Sequence, residues 1–190
     1  MSGAGGIPGL QAEEDVNDEL LVVRCRLGER EAFAELVRAW HDPVWNYVRR
    51  MLGHSRADDV AQEVWVAVVR GLPHLKEPGR FVPWLFTIAR RAVADRLREE
   101  YARPEIPMEE ERASADPADF ADALVDRADL FAGLAELPVR EREVLVLFYL
   151  QDLSLEDCAQ VCAVPVGTVK SRLSRARRML REQLTEKGYR

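Results

Sequence analysis

The sequence predicts an all-helical protein made of two small domains that a flexible acidic linker joins. Nearly every periodic segment of the 190 residues repeats its apolar positions at three and four residues, and no stretch alternates as a half-buried strand does. Charge is divided along the chain. Residues 21–98 carry fourteen basic and nine acidic side chains, 99–129 carry three and eleven, and 130–190 carry ten and eight. Two basic zones therefore flank an acidic connector, although the net charge of the whole chain is −6.

The first domain is predicted at 18–101, after a Gly-rich acidic tail at 1–17 that we expect to be disordered. Its helices are predicted at 18–27, 30–52, 56–71 and 83–100. Ser55 followed by Asp58 predicts a capping box at the start of the third helix. The Pro and Gly residues within 72–80 predict a loop before the fourth.

The acidic connector and the second domain follow. The segment 102–116 has two prolines, four glutamates and little that can be buried, which predicts a flexible linker. The second domain is predicted at 117–187. Asp116 and Pro117 predict its first helix, because an acidic N-cap followed by proline suits a helix start. The remaining helices are predicted at about 139–151, 155–162 and 166–186.

The last two helices predict a helix-turn-helix. Ser154 to Asp157 reads as a capping box, and a tight turn through Ala163, Val164 and Pro165 joins a short helix to a longer basic one. The apolar side of the longer helix is predicted to consist of Val169, Leu173, Ala176 and Leu180. Its other faces carry small polar residues and arginines, which suit base edges and phosphates in a major groove. The alternative is an amphipathic helix with a solvated basic face.

The helix predicted at 83–100 combines arginines with nearby aromatic residues. Arg90 and Arg91 lie on its outer face, Trp84 lies on its flank, and Phe81 precedes it. Arginines beside aromatic rings suit a phosphate backbone and the stacking of unpaired bases. The equally supported alternative is that Phe81 and Trp84 belong to the core and that the arginines are solvated.

The helix predicted at 56–71 indicates a protein partner. Its core face is predicted to be wide and to comprise Val60, Ala61, Val64, Trp65, Ala67 and Val68. Two further valines, Val66 and Val69, remain on the exposed face among acidic residues. Apolar side chains in that setting favour a protein contact over a purely solvated surface.

Together these segments resemble the extracytoplasmic-function group of bacterial sigma factors. ADDVAQEVWVAVVR resembles the polymerase-binding helix of sigma domain two. RFVPWLFTIARRAVADRLRE resembles the segment that opens the strands and reads the −10 element, and LPVREREVLVLFYLQDLSLEDCAQVCAVPVGTVKSRLSRARRMLRE resembles domain four, which reads the −35 element. The resemblance covers about residues 20–101 and 117–186, and GTVKSRLSRAR is its most specific part.

The resemblance implies that the chain binds core RNA polymerase and promoter DNA to direct transcription initiation, with an anti-sigma factor as a further partner. Polymerase binding is expected of Asp58, Asp59, Gln62, Glu63 and Val66. Contact with −10 DNA is expected of Arg80, Phe81, Trp84, Arg90 and Arg91, although the family often has Asn where this chain has Arg91. Contact with −35 DNA is expected of Thr168, Lys170, Ser171, Arg172, Ser174, Arg175 and Arg178.

No enzyme is expected, because no catalytic triad, carboxylate pair or phosphate loop is evident, and no cofactor or small-molecule substrate is predicted. The longest apolar run, Val144 to Leu150, is too short to span a bilayer, and the acidic N-terminus does not resemble a secretory signal. A cytoplasmic protein without membrane insertion is therefore expected.

Two other classes of function stay open from the sequence. The sequence of the second domain is also similar to the DNA-binding domain of a LuxR-type helix-turn-helix regulator. Such a regulator would bind a duplex operator without polymerase. A metal- or thiol-based redox sensor would use Cys158 and Cys162, which are four residues apart on a predicted helix. Burial of both as small apolar side chains is the favoured interpretation, and no metal site is predicted, since the three histidines lie elsewhere in the chain.

Overall fold

Eight helices make up the part of the chain that the computed structural model describes, residues 8–102 and 130–186. The first domain consists of α1 (Pro8–Arg26), α2 (Arg30–Leu52), α3 (Ala57–Gly71) and α4 (Phe81–Ala102). Single 3₁₀ turns at His54–Arg56, Leu72–His74 and Pro78–Arg80 connect the last three of these helices. The second domain consists of α5 (described at 130–136), α6 (Val139–Leu150), α7 (Leu155–Cys162) and α8 (Val166–Glu186).

Amphipathic stripes build the core of the first domain. On α2 the buried residues Leu36, Val44, Tyr47, Val48 and Met51 recur at intervals that place them on one side of the helix. The stripe of α3 and the apolar residues of α4 close the core from the other side. The stripe predicted for α3 is correct except at Ala67, which is exposed.

Helix boundaries agree with the sequence in the middle of the chain and differ near its start. The first helix begins at Pro8 rather than at 18, so 8–17, predicted as part of a disordered tail, are helical. The reason is visible in the residues: a proline stands at the first helical position, and strong helix formers, Leu10 to Glu14, follow it. Residues 1–7 of the predicted tail lie outside the described residues.

The capping box predicted at Ser55 and Asp58 is wrong. Ser55 lies within a 3₁₀ turn, Arg56 occupies the N-cap of α3, and no side-chain cap bond forms there. The predicted linker from residue 103 onward and the helix start at Asp116 and Pro117 lie outside the described residues.

The two domains pack directly against each other. Helix α7 lies on α4, and α6 lies on α2. One buried apolar cluster runs through both domains, whereas Leu134, Leu137, Leu145 and Ala176 form a smaller cluster within the second. The four consecutive residues from Val144 to Leu147 are all buried, because α6 has neighbours on several sides.

Arg142 fastens the two domains through main-chain carbonyls. Its guanidinium donates to the carbonyls of Arg50 (3.2 Å) and Met51 (3.5 Å) in the last turn of α2. It also donates to those of Ala135 (2.6 Å) and Leu137 (3.1 Å) in its own domain. Carbonyls at a helix C-terminus lack partners within the helix and attract a cation. Burial lowers the pKa of Arg142 from its ordinary value.

Candidate nucleic-acid and protein interfaces

The predicted helix-turn-helix is present. The Ser154 hydroxyl accepts from the backbone N–H of Asp157 at 3.0 Å and caps α7, as the sequence predicts. Ala163 has φ 52, in the left-handed region, and ends the helix. The Val164 N–H then donates to the Ala159 carbonyl at 3.0 Å, and the Thr168 N–H donates to that of Pro165 at 2.8 Å. These bonds set the direction in which α8 leaves the turn.

The outer face of α8 is accessible. Its predicted apolar side is confirmed, with Val169, Leu173 and Ala176 buried and Leu180 partly buried. Of the predicted DNA-binding residues, Thr168 and Arg172 are half-buried and five are exposed: Lys170, Ser171, Ser174, Arg175 and Arg178. A shallow groove runs between the last four of these.

Arg175 is held by a buried carboxylate of its own domain. Its guanidinium donates to Glu141 at 2.8 Å, and only 8% of the Glu141 side chain is exposed, against 56% of the Arg175 side chain. A buried acceptor of this kind orients a guanidinium and leaves its other donors free. Gly167, near the start of α8, has open space beside it, since a Cβ there would meet no atom within 4 Å.

The basic residues assigned to α4 and the turn before it are mostly engaged. Arg90 forms an ion pair with Glu143 of α6 at 3.0 Å. Arg80 pairs with Asp157 of α7 at 3.0 Å and also bonds to Gln160. Arg91, by contrast, is exposed.

Two aromatic residues assigned to this segment, Phe81 and Trp84, are buried to different degrees. Phe81 is 1% exposed and packs edge-on against Trp40 in this conformation, and its contact with −10 DNA stays a prediction. Trp84 is half-buried, and its ring lies beside Gly71 at the end of α3. A Cβ at Gly71 would lie 2.8 Å from that ring, so the close approach depends on glycine. Of the alternative weighed from the sequence, the structure shows the burial of Phe81, whereas Trp84 is only half-buried and Arg80 and Arg90 are ion-paired rather than solvated.

Glu143 is the centre of a buried polar network between the domains. Besides Arg90, it accepts from the Tyr47 hydroxyl at 3.3 Å and from the Cys162 thiol at 3.6 Å. Burial and the negative charge of Glu143 raise the pKa of Tyr47. The same two causes raise the pKa of Cys162.

The cysteines of α7 are poorly suited to redox or metal chemistry. Cys158 and Cys162 are both buried, and burial raises the pKa of Cys158 to about 12. The thiolate is the reactive and metal-binding form, so a raised pKa suppresses both activities near neutral pH. Within residues 8–102 and 130–186 there is no group of three or more His, Cys, Asp or Glu side chains placed to hold a metal ion.

The predicted protein-binding face on α3 forms a shallow groove. Its lining residues are Asp59, Gln62, Glu63, Val66, Ala67, Arg70 and Arg96. Val66 is 45% exposed, and Val69, just outside the groove, is 52% exposed. Glu63 accepts from Arg96 of α4 at 2.8 Å. Asp58, at the start of the helix, accepts from the indole N–H of Trp45 at 2.7 Å, which is a structural contact.

The sequence analysis did not identify the acidic partners Glu141 and Glu143, nor Arg142, which bonds to both domains. The only available signal was four consecutive charged residues, 140–143, in the first half of a helix that is otherwise apolar. Their partners lie far away in the chain, 34 residues for the Glu141–Arg175 pair, and local periodicity carries no information on such distances.

Two helical domains, one of them a helix-turn-helix with a basic outer face, define a DNA-binding protein of transcription. Comparison with known families agrees domain by domain. The model of sigma-70 region 2 matches residues 36–103, and that of sigma-70 region 4 matches residues 128–180. In the part of the chain that the structure describes, no helix is both long and apolar enough to cross a membrane.

Individual proteins match along nearly their full length. The extracytoplasmic-function sigma factor SigM of Mycobacterium tuberculosis is 35% identical, and the alignment covers 93% of this chain and 87% of SigM. SigC of the same species is 31% identical over 87% of this chain and 90% of SigC. Among solved structures, CnrH in complex with the cytosolic domain of CnrY superposes with a TM-score of 0.69 at 26% identity, covering 90% of this chain and 98% of CnrH.

The chain belongs to the extracytoplasmic-function sigma factors of RNA polymerase. It is therefore a sigma factor, which binds core RNA polymerase and directs promoter-specific initiation. The matches span both domains and do not support the LuxR-type alternative.

Proposed function

We propose that α8 reads the −35 element, that α4 and the turn before it read the opened −10 element, and that α3 docks on the polymerase. The observation that carries this assignment is the exposed groove among Ser171, Ser174, Arg175 and Arg178 on the second helix of the helix-turn-helix. In that motif the second helix enters the major groove.

The proposed −35 contacts combine short hydroxyl-bearing side chains with long cationic side chains. Ser171 and Ser174 lie one turn apart on the exposed face, so α8 can approach base edges closely. Arg175, oriented by Glu141, points a planar donor fork outward, which suits a guanine edge. Lys170 and Arg178 flank the face and suit phosphates.

The −10 contacts fall to arginines rather than to a row of stacking rings. Arg90 and Arg91 lie next to each other on α4, and Arg80 lies just before it. Three cations in this order suit the backbone of a single strand. Of Phe81, Trp84 and Phe86, Trp84 alone is not buried, and we retain it as the stacking candidate, whereas Phe81 supports it from the core.

The polymerase contact is the groove on α3. Its acidic and amide side chains, Asp59, Gln62 and Glu63, would pair with basic residues of the partner, while Val66 would be buried. Apolar area surrounded by charged residues is the usual composition of a protein interface. Since Asp58 is already bonded to Trp45, its part in the contact would be to hold the helix start.

The expected partners of the chain and its location in the cell follow from this assignment. CnrH was solved with the cytosolic domain of CnrY, and we propose that this chain also has an anti-sigma factor as a partner. The chain would act in the cytoplasm, where the polymerase is, and would catalyse no reaction itself. The connector, predicted at 102–116, belongs to a segment with eleven acids and three bases, so it would be repelled by DNA.

Reconstituted transcription tests the assignment. Core polymerase with this chain should initiate at a restricted set of promoters in a genomic library, and Val66→Asp should reduce both this activity and co-purification with the core enzyme. A carboxylate buried against an apolar contact costs about 1–3 kcal/mol or more, roughly a five- to hundredfold loss of affinity. Val69→Asp, with the same charge change just outside the groove, is the matched control. Equal polymerase binding by the two variants would remove the groove from the interface.

A further inference from the structure

One arginine on the exposed face of α8 has a buried carboxylate behind it. The Nη1 group of Arg175 donates to Glu141 of α6 at 2.8 Å, and only 8% of the Glu141 side chain is exposed. Burial of an ionised carboxylate is costly unless a cation and hydrogen-bond donors compensate it. The Arg175 guanidinium and the N-terminal turn of α6, in which Glu141 lies, supply this compensation. The carboxylate is therefore fixed in place, and it fixes the near side of the guanidinium.

A second arginine on the exposed side of α8 provides the contrast. Arg178 lies 3.8 Å from Glu182, one turn further along the same helix. Both side chains are mostly exposed, at 70% and 64%. An exposed pair at this distance is screened by salt and holds its members only weakly. Arg178 can thus turn toward a phosphate, whereas Arg175 is held from behind.

The buried carboxylate changes what Arg175 can bind. A guanidinium has five N–H donors, and the bond to Glu141 uses one of them. More than half of the Arg175 side chain is exposed, so donors remain for the O6 and N7 atoms of a guanine. A phosphate attracts an arginine mainly through charge, and the adjacent carboxylate offsets that charge. Glu141 therefore weakens the attraction to phosphates but keeps the geometry that suits a base edge.

We infer that Glu141, which lies outside the helix-turn-helix, determines specificity at the −35 element: it positions Arg175 to read a guanine and lowers its attraction to the phosphates of unrelated DNA. This inference rests on the assignment of α8 to the −35 element in the proposed function. A guanidinium that is held in advance loses less side-chain entropy when it binds a base, which increases affinity about two- to tenfold. Glu141 acts through Arg175 and is a positioning residue.

Two variants with the same change of charge test this role. Glu141→Gln keeps the length of the side chain but removes the negative charge behind Arg175. Glu182→Gln removes the exposed carboxylate beside Arg178 and is the matched control, since each acid pairs with one arginine of α8. Arg175→Ala is the reference for loss of the arginine itself.

Base preference is the first measurement. Each purified full-length chain is incubated with a pool of duplexes that contain a randomised segment, and the bound fraction is separated by gel shift and sequenced. The wild type should enrich guanine at one position, and Arg175→Ala should abolish that enrichment. Glu141→Gln should reduce it about two- to tenfold, because the guanidinium is no longer held in advance. Glu182→Gln should retain it.

The salt dependence of binding to an unselected sequence is the second measurement. Without the carboxylate, Arg175 carries its full charge toward DNA and can bind one further phosphate. Anisotropy titrations with a labelled duplex of unselected sequence should show tighter binding by Glu141→Gln, with a slope of log affinity against log salt steeper by about 0.9. A merely structural role of Glu141 would weaken this binding instead. Glu182→Gln should keep the wild-type slope, because Arg178 is already available to phosphates.

Thermal melts establish that each variant is folded at the assay temperature. If Glu141→Gln is unfolded there, Glu141→Asp replaces it. Aspartate keeps the charge but is one methylene shorter, so it cannot hold Arg175 at the same distance. The same fall in guanine enrichment is then expected, without the steeper salt slope.

Equal guanine enrichment by the wild type and Glu141→Gln, or an equal fall in Glu182→Gln, would overturn the role of Glu141. A salt slope that Glu141→Gln leaves unchanged would overturn it as well. The proposed function survives these outcomes if Arg175→Ala abolishes the guanine enrichment. If the wild type enriches no sequence, or if Arg175→Ala changes nothing, the −35 assignment itself fails and the inference fails with it.

Discussion

The two surfaces that we propose as DNA-binding both present arginines, but these arginines have different partners. On α8, Arg175 is bonded to a carboxylate of its own domain, so its orientation does not depend on the other domain. On α4, Arg90 is bonded to a carboxylate from the opposite domain, so its availability depends on how the domains are packed.

This comparison shows that the role of an arginine in an ion pair depends on which domain carries the carboxylate. A buried acceptor within the same domain prepares an arginine for DNA, because the bond survives any rearrangement between domains. An acceptor from the other domain competes with DNA for the same donors. The two carboxylates, Glu141 and Glu143, lie two residues apart on α6. Glu141 pairs with an arginine on the exposed face of α8, whereas Glu143 pairs with an arginine of the other domain that α6 covers.

Among the substitutions that test this comparison, Arg142→Ala is expected to have the largest effect on the packing between the domains. The change removes a guanidinium that bonds to carbonyls of both domains, and hydrogen bonds of charged groups contribute about 1.5–3 kcal/mol each. We expect the free energy of unfolding to fall by about 3 kcal/mol and the domains to separate more readily, as denaturant melts and scattering would measure. Arg140→Ala, an exposed neighbour on the same helix, is the control. If the two variants were equally stable, Arg142 would not fasten the domains.

A smaller effect is expected from Arg175→Ala, confined to the −35 element. Loss of a bidentate base contact should weaken binding by about 1–3 kcal/mol, to the same extent in the free chain and in the polymerase complex, because this face is open in both. Footprinting and gel shifts with a −35 duplex measure this. Glu141→Gln keeps the arginine and weakens only its orientation, so its effect should be smaller. An unchanged footprint in Arg175→Ala would remove this residue from the site.

The smallest effect on DNA binding is expected from Arg91→Ala. Its comparison with Arg90→Ala distinguishes an exposed arginine from one that is paired across the domains. Both variants should weaken −10 strand binding in the polymerase complex and lower the slope of log affinity against log salt by about 0.7, the loss of one phosphate contact. Only Arg90→Ala should also change the scattering of the free chain, because Arg91 is exposed and Arg90 pairs across the domains. Identical scattering by both variants would contradict this difference.

Much of the fold was predictable because its signals are local. The bounds of α2 and α7, the capping residue Ser154 and the turn at Ala163 follow from spacing and residue type within a few positions. The exposed faces of α8 and α3 follow from the same periodicity. The errors are local as well: the start of α1 was hidden by an acidic, Gly-rich composition, and a 3₁₀ turn replaced the expected cap at Ser55.

The sequence by itself determined the helices, the order of the two domains, the helix-turn-helix and the family. Only the tertiary structure decided that Phe81 is buried, that Arg142 joins the domains, and that Arg90 and Arg80 are covered while Arg175 is not. The physical reason is that a helix repeats every 3.6 residues and reports only its own faces. Which carboxylate meets which arginine depends on packing between segments tens of residues apart, and no local pattern encodes that choice.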